Sequence, residues 1–131
     1  MRKDIEIPEV KDVYVAAILE FNEVHRTNDW NVYLINAKNS PLETVLIVSK
    51  GFDAERITSQ MRHKLDVLPA KSFAKIEFLE DSVLKLNNEF SVTFFVGNNL
   101  FEKKFLYKPN TITKENNKAL PIMLKEGILA L

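Results

Sequence analysis

His25 and His63 are the only histidines in a chain of 131 residues that has no cysteine, and this bounds the chemistry open to it. A mononuclear metal site would have to combine His25, Asp29 and His63 with a water. Nothing in their spacing brings them together, so two unrelated surface or rim histidines are expected. Without cysteine there is no thiolate nucleophile, no disulfide framework and no Cys-type zinc site. Glu80-Asp81 is a carboxylate pair of the kind that acid/base work uses. Adjacent residues on a strand point opposite ways, so the pair reads as a solvated turn. The glycines Gly51, Gly97 and Gly127 are isolated from one another, which leaves no phosphate-cradling loop. Neither Gly-x-Ser-x-Gly nor His-Glu-x-x-His occurs. The expectation is a protein that is not an enzyme, with no catalytic residue, cofactor or metal.

The polar set that stands out is Thr58-Ser-Gln-Met-Arg-His-Lys64. On a strand, Thr58, Gln60, Arg62 and Lys64 would share a solvent face at a sheet edge. Ser59 and His63 would share the other face with Met61 and Leu65, where a hydrogen-bond network or a partner contact would account for them. Arg62 is expected to be exposed and to matter to binding more than to folding. Trp30 is expected in the core or at its rim rather than as a ligand-stacking ring. Lys103, Lys104 and Lys108 lie among Phe105 and Tyr107, as in single-strand nucleic-acid binders. Alternation turns both rings inward and Lys104 outward, which spoils that platform. Lys plus Arg equals Asp plus Glu at 18 each, with none of the basic excess of a nucleic-acid carrier. The start, Met1-Arg-Lys-Asp-Ile-Glu-Ile7, lacks a signal peptide's apolar run, and no window reaches membrane-span length. A cytoplasmic protein with no membrane partner is expected.

The element that must position these residues is the hairpin Phe90–Tyr107. Two runs of eight flank Asn98-Asn99, and β-branched and aromatic residues dominate the first. With Asn98-Asn99 as the loop, Phe90 faces Tyr107, Val92 faces Phe105 and Val96 faces Phe101; a Gly97-Asn98 loop leaves the same residues, with Phe94, on one face. A three-residue loop would set apolar positions against Ser, Thr and Lys. Lys103 falls on the apolar face and is expected to snorkel outward from a sheet margin.

The other strands follow from alternation. Arg2–Ile7 reads as a short edge strand or an ordered arm, stopped by Pro8. Val13–Val24 places Val13, Val15, Ala17, Leu19 and Phe21 on one face, and its β-branched content outweighs a helical reading. Trp30–Asn36 sets Trp30, Val32 and Leu34 against Tyr33 and Ile35. Thr44–Ser49 suits a central strand, ended by Gly51. Ile57–Leu68 is a long strand. Phe73–Leu79 sets Ala74, Ile76 and Phe78 inward and Lys75 and Glu77 outward. Ser82–Leu86 fits one helical turn or a short extended piece. About seven strands at spacings of roughly ten residues indicate an all-β fold. We expect a two-sheet antiparallel β-sandwich, immunoglobulin-like in architecture, forming a single domain over 1–131 with Greek-key connections.

Residues 111–131 form a polar loop and an apolar tail. Leu120, Leu124, Ile128 and Leu131 recur near helical spacing, but Gly127 weakens a helix by about 1 kcal/mol, so an extended arm is at least as good a reading. With Met123 these residues make a segment too apolar to leave in water. It is expected to dock on its own sandwich, or alternatively on a second copy or another protein.

Three stretches, Trp30-Asn-Val-Tyr-Leu-Ile-Asn36, Thr58-Ser-Gln-Met-Arg-His63 and Leu68-Pro-Ala-Lys-Ser-Phe-Ala-Lys-Ile-Glu77, resemble a family of short bacterial all-β proteins of unknown function. Some members carry a label of phenylalanyl-tRNA synthetase alpha subunit. That resemblance implies RNA association as a second reading, with no site residues to carry over. The first is a non-enzymatic cytosolic protein-interaction or structural module. Its contacts would run through Thr58, Gln60, Arg62, His63 and Lys64, and through Leu120, Met123, Leu124, Ile128 and Leu131. The hairpin supplies a direct test. Phe94→Ala should destabilise by about 3–5 kcal/mol in denaturant unfolding; a loss below about 1 kcal/mol would remove this face from the core.

Overall fold

A computed structural model describes residues 9–131; the expected arm Arg2–Ile7 lies outside them. Among the described residues nine strands form, all pairing antiparallel: β1 (Val13–Asn22), β2 (Thr27–Asn36), β3 (Leu42–Phe52), β4 (Met61–Leu68), β5 (Ser72–Leu79), β6 (Asn87–Val96), β7 (Asn99–Tyr107), β8 (Lys118–Ala119) and β9 (Glu126–Leu129). Single 3-10 turns occupy Asp81–Val83 and Lys114–Asn116. One sheet runs β5-β2-β1-β9-β8, the other β4-β3-β6-β7, and they pack as a β-sandwich. No helix among the described residues is long and apolar enough to cross a membrane.

The inner faces follow the alternation of the sequence. Val13, Val15 and Ala17 of β1 meet Trp30, Val32 and Leu34 of β2 in one buried cluster with Val45, Ile47, Phe90, Val92, Phe94, Phe105 and Tyr107 from the opposite sheet. The β6–β7 hairpin turns at Gly97-Asn98, with Gly97 at φ +60, where only glycine is unstrained. This shifts the pairs from the Asn98-Asn99 expectation: Phe90 faces Phe105, Val92 faces Lys103 and Phe94 faces Phe101. A two-residue shift preserves the face. Lys103 swings out, its ammonium 4.8 Å from the Phe105 ring centre.

Three expected boundaries move. Gly51 does not end β3, which continues to Phe52. The strand expected from Ile57 begins at Met61; Ile57 makes only an isolated bridge to Phe52. Val24 lies in the turn after β1, and Phe21 is exposed rather than inward, one residue from the end of β1 and paired with exposed Asn28.

The tail is extended, not helical. β9 pairs with β1, and Gly127 permits this: a Cβ there would lie 2.6 Å from the Ala17 carbonyl oxygen. Leu131 then crosses to the other sheet, exchanging backbone hydrogen bonds with Leu106 of β7 at 3.0 Å each way. The Tyr107 hydroxyl fixes this crossing by donating to the Ile128 carbonyl at 2.7 Å and approaching the Val15 carbonyl at 3.2 Å. Burial pushes the phenol's pKa up, so it remains a donor. Outside the sandwich, Leu120 and Met123 cover Ala16, Ile18 and Ile35. β1 is therefore buried on both faces. Tyr107→Phe removes the anchor while keeping the ring. It should destabilise by about 1–2 kcal/mol, and hydrogen exchange at Ile128–Leu131 should quicken ahead of global unfolding.

Candidate functional site

Strand β5 carries one residue more than β2 has room for. Ala74 faces Leu34 and Lys75 faces Tyr33, but Val32 then faces Glu77, so Ile76 is the extra residue of a β-bulge. Past the bulge the alternation is inverted. Ile76 is buried, Glu77 follows it to the inner face, Phe78 is turned out to 48% exposure, and Leu79 takes the inner position opposite Trp30. This corrects the expectation that Phe78 would be inward and Glu77 outward.

Glu77 is held from the opposite sheet. Its side chain is 9% exposed, and Oε1 accepts from the Ser49 hydroxyl at 2.5 Å and lies 2.9 Å from His63 Nε2. Ser49 is buried on the inner face of β3, and His63 points inward from β4 opposite Ile47. Three strands thus converge on one carboxylate oxygen across the gap between the two sheets. This is not a nucleophile relay. Acyl transfer needs a hydroxyl bonded to the imidazole, whereas here both donors end on the acid.

Ser49 and Glu77 line a cleft of about 250 Å³ at this end of the sandwich, together with Thr58, Ser59, Met61, Phe78, Glu80 and Ser82 among others; His63 reaches Glu77 from outside that wall. Met61 and Phe78, 49% and 48% exposed, make an apolar rim. Lys50 also lines the cleft, its ammonium 5.6 Å from the Phe52 ring centre.

Of the residues expected to carry contacts on this stretch, only His63 reaches the carboxylate. Gln60, Arg62 and Lys64 are exposed; the latter two lie on the outer face of β4. Thr58 precedes the strand and turns back to β3: its hydroxyl accepts from the Gly51 N–H at 2.8 Å and its own N–H donates to the Gly51 carbonyl. His63 alone joins the triad. In the tail, Leu120, Met123 and Ile128 are buried, while Leu124 and Leu131 are exposed. Sequence reasoning missed Glu77, Ser49 and Phe78. The available signal was the odd gap between Phe73 and Phe78 in a strand otherwise read at period two.

A second polar cluster lies on the outer face of the first sheet. Glu20 Oε1 accepts from Asn31 at 2.8 Å and Tyr33 at 2.7 Å, and Oε2 accepts from Lys125 at 2.6 Å. Burial raises the carboxyl, but these donors outweigh it and the net pKa is lowered. Burial and the Glu20 bond push the Tyr33 phenol up to about 12. With both oxygens occupied, this cluster clasps the tail. On the outer face of the second sheet charges of both signs occur: Arg62 and Lys104 share one cross-strand row, Lys64 and Glu102 the next, and Lys50 faces Glu89. Among the described residues no group of three or more His, Asp or Glu converges to hold a metal ion.

No family model, curated protein or solved structure matches the chain.

The Glu20 clasp gives a pH signature. A carboxyl whose folded pKa lies below its ordinary 4.5 contributes stability fully above that value and loses it as pH falls through the lowered one. Wild type should exceed Glu20→Gln by about 1–2 kcal/mol at neutral pH. The gap should hold down to about pH 5 and shrink below it. A gap that widens on acidification would contradict the assignment.

Proposed function

We propose that this protein is a non-enzymatic, cytosolic binding module that receives a partner protein at the open end of its sandwich, between β4 and β5. The carrying observation is the β5 bulge, which turns an acid inward and an aromatic ring outward at the same place. A buried polar anchor inside an exposed apolar rim is the arrangement of small recognition pockets and of interface centres. The connectivity supports an immunoglobulin-like comparison, with β5-β2-β1 facing β4-β3-β6-β7 and Greek-key crossings between them.

Addition of a partner strand is the weaker mode for such a module. β4 carries Arg62, Lys64 and Asp66, β5 is bulged, β8 has two residues, and β7 is bridged by Leu131 at Leu106. These are the devices by which sheet edges avoid pairing. The rival reading, an RNA-associated accessory protein, draws no support from the mixed charges on the outer face of the second sheet.

The test compares proteins retained by wild type and by Phe78→Asp. The variant should keep its melting temperature within about 2 °C, because Phe78 is half exposed, and lose the retained partner. Arg62→Ala, equally neutral to folding, reports whether the outer face of β4 joins the contact. An identical retained set for wild type and Phe78→Asp would overturn the proposal. Binding to tRNA that falls with salt would favour the rival.

A further inference from the structure

We infer that the Glu77 cleft recognises a primary ammonium group, either the side chain of a partner's lysine or a free alkylamine. This rests on the binding-module reading and adds the chemistry of what enters.

The two carboxylate clusters of this protein differ in how their oxygens are occupied. Glu20 has donors on both oxygens. Glu77 has two donors on Oε1, and among the described residues none on Oε2. Yet Glu77 is the more buried, its side chain 9% exposed against 21% for Glu20. Oε2 remains open to the cleft and free to accept, and a charge-assisted hydrogen bond formed there, beside apolar walls, is stronger than one made in open water.

The surroundings select a cation. Glu80 adds a second acid to the lining; Lys50 also lines the cleft, but its ammonium lies over the Phe52 ring, and His63 already spends Nε2 on Oε1. They also select the kind of cation. A guanidinium binds a carboxylate best as a fork, with both oxygens free. Here Oε1 already holds two donors, so one oxygen remains. An ammonium presents three separate donors. Oε2 meets one, and the Ser59 and Ser82 hydroxyls in the lining are acceptors for the others. Met61, Phe78, Leu79 and Val83 supply apolar wall for a methylene stem. At about 250 Å³ the space suits a linear chain rather than a drug-sized ligand.

The experiment is an amide-resonance titration of the full chain with n-butylammonium, Nα-acetyl-lysine amide, Nα-acetyl-arginine amide and Nα-acetyl-norleucine amide. The two ammonium probes should shift amides of Ser49, Ser59 and Glu77–Ser82, with dissociation constants on the order of millimolar. The norleucine probe should leave them unmoved, and the arginine probe should bind about tenfold more weakly. Glu77→Gln should weaken ammonium binding at least tenfold. Glu80→Gln should weaken it several-fold and serves if the first variant does not fold. Lysine amide binding well above butylammonium would identify a peptide source; equal binding would identify a free amine. Arginine or norleucine probes binding as well as lysine, or binding unchanged in both variants, would overturn the inference. If no probe shifts these amides while Phe78→Asp still loses its partner, the binding module stands and the ammonium assignment falls.

Discussion

Side chains on a strand alternate between two faces, and a two-layer sandwich offers an apolar home on only one face of each sheet. Everything in this fold depends on keeping that alternation in step across nine strands. Where a strand gains a residue, the pattern must be repaired. β3 does so at Thr44, which takes φ +49 and lets Leu42 and Val45 both reach the core despite their odd spacing. β5 does not repair its step. Its extra residue leaves Glu77 inside and Phe78 outside.

Both consequences oppose stability. Exposing half a phenylalanine forfeits roughly 1 kcal/mol of burial, and withdrawing a carboxylate from water carries a further penalty that hydrogen bonds only partly return. Ser49 and His63 meet one oxygen of that carboxylate, and the other faces a cleft. The Glu20 cluster shows what a purely structural acid looks like in the same protein: both oxygens are satisfied, one of them by the tail it holds. Local rules broken without local return mark functional sites more often than defects.

Most of the fold was legible in the sequence because it obeys the period of two. Val13, Val15, Ala17, Trp30, Val32 and Leu34 fall where alternation puts them, and the hairpin keeps its face although its pairs slip by two. The outer burial of Ala16 and Ile18 was not legible, since it needs a tail that is distant in sequence. Nor was the site. His63 could be singled out as an inward polar residue, but its partner Glu77 sat on the wrong face in any regular reading of Phe73–Leu79. Thr58 looked like part of a strand and instead closes a turn onto Gly51.

If the triad is kept for recognition, the fold should not need it. The most direct measurement is the unfolding free energy of the triple variant Ser49→Ala/His63→Leu/Glu77→Leu, which removes all three polar groups together and leaves none unpaired. Replacing a buried polar cluster by apolar groups of similar volume is often neutral or stabilising. The account predicts stability equal to wild type or higher. A loss of more than about 2 kcal/mol would contradict it, because the cluster would then be a structural tie between the sheets.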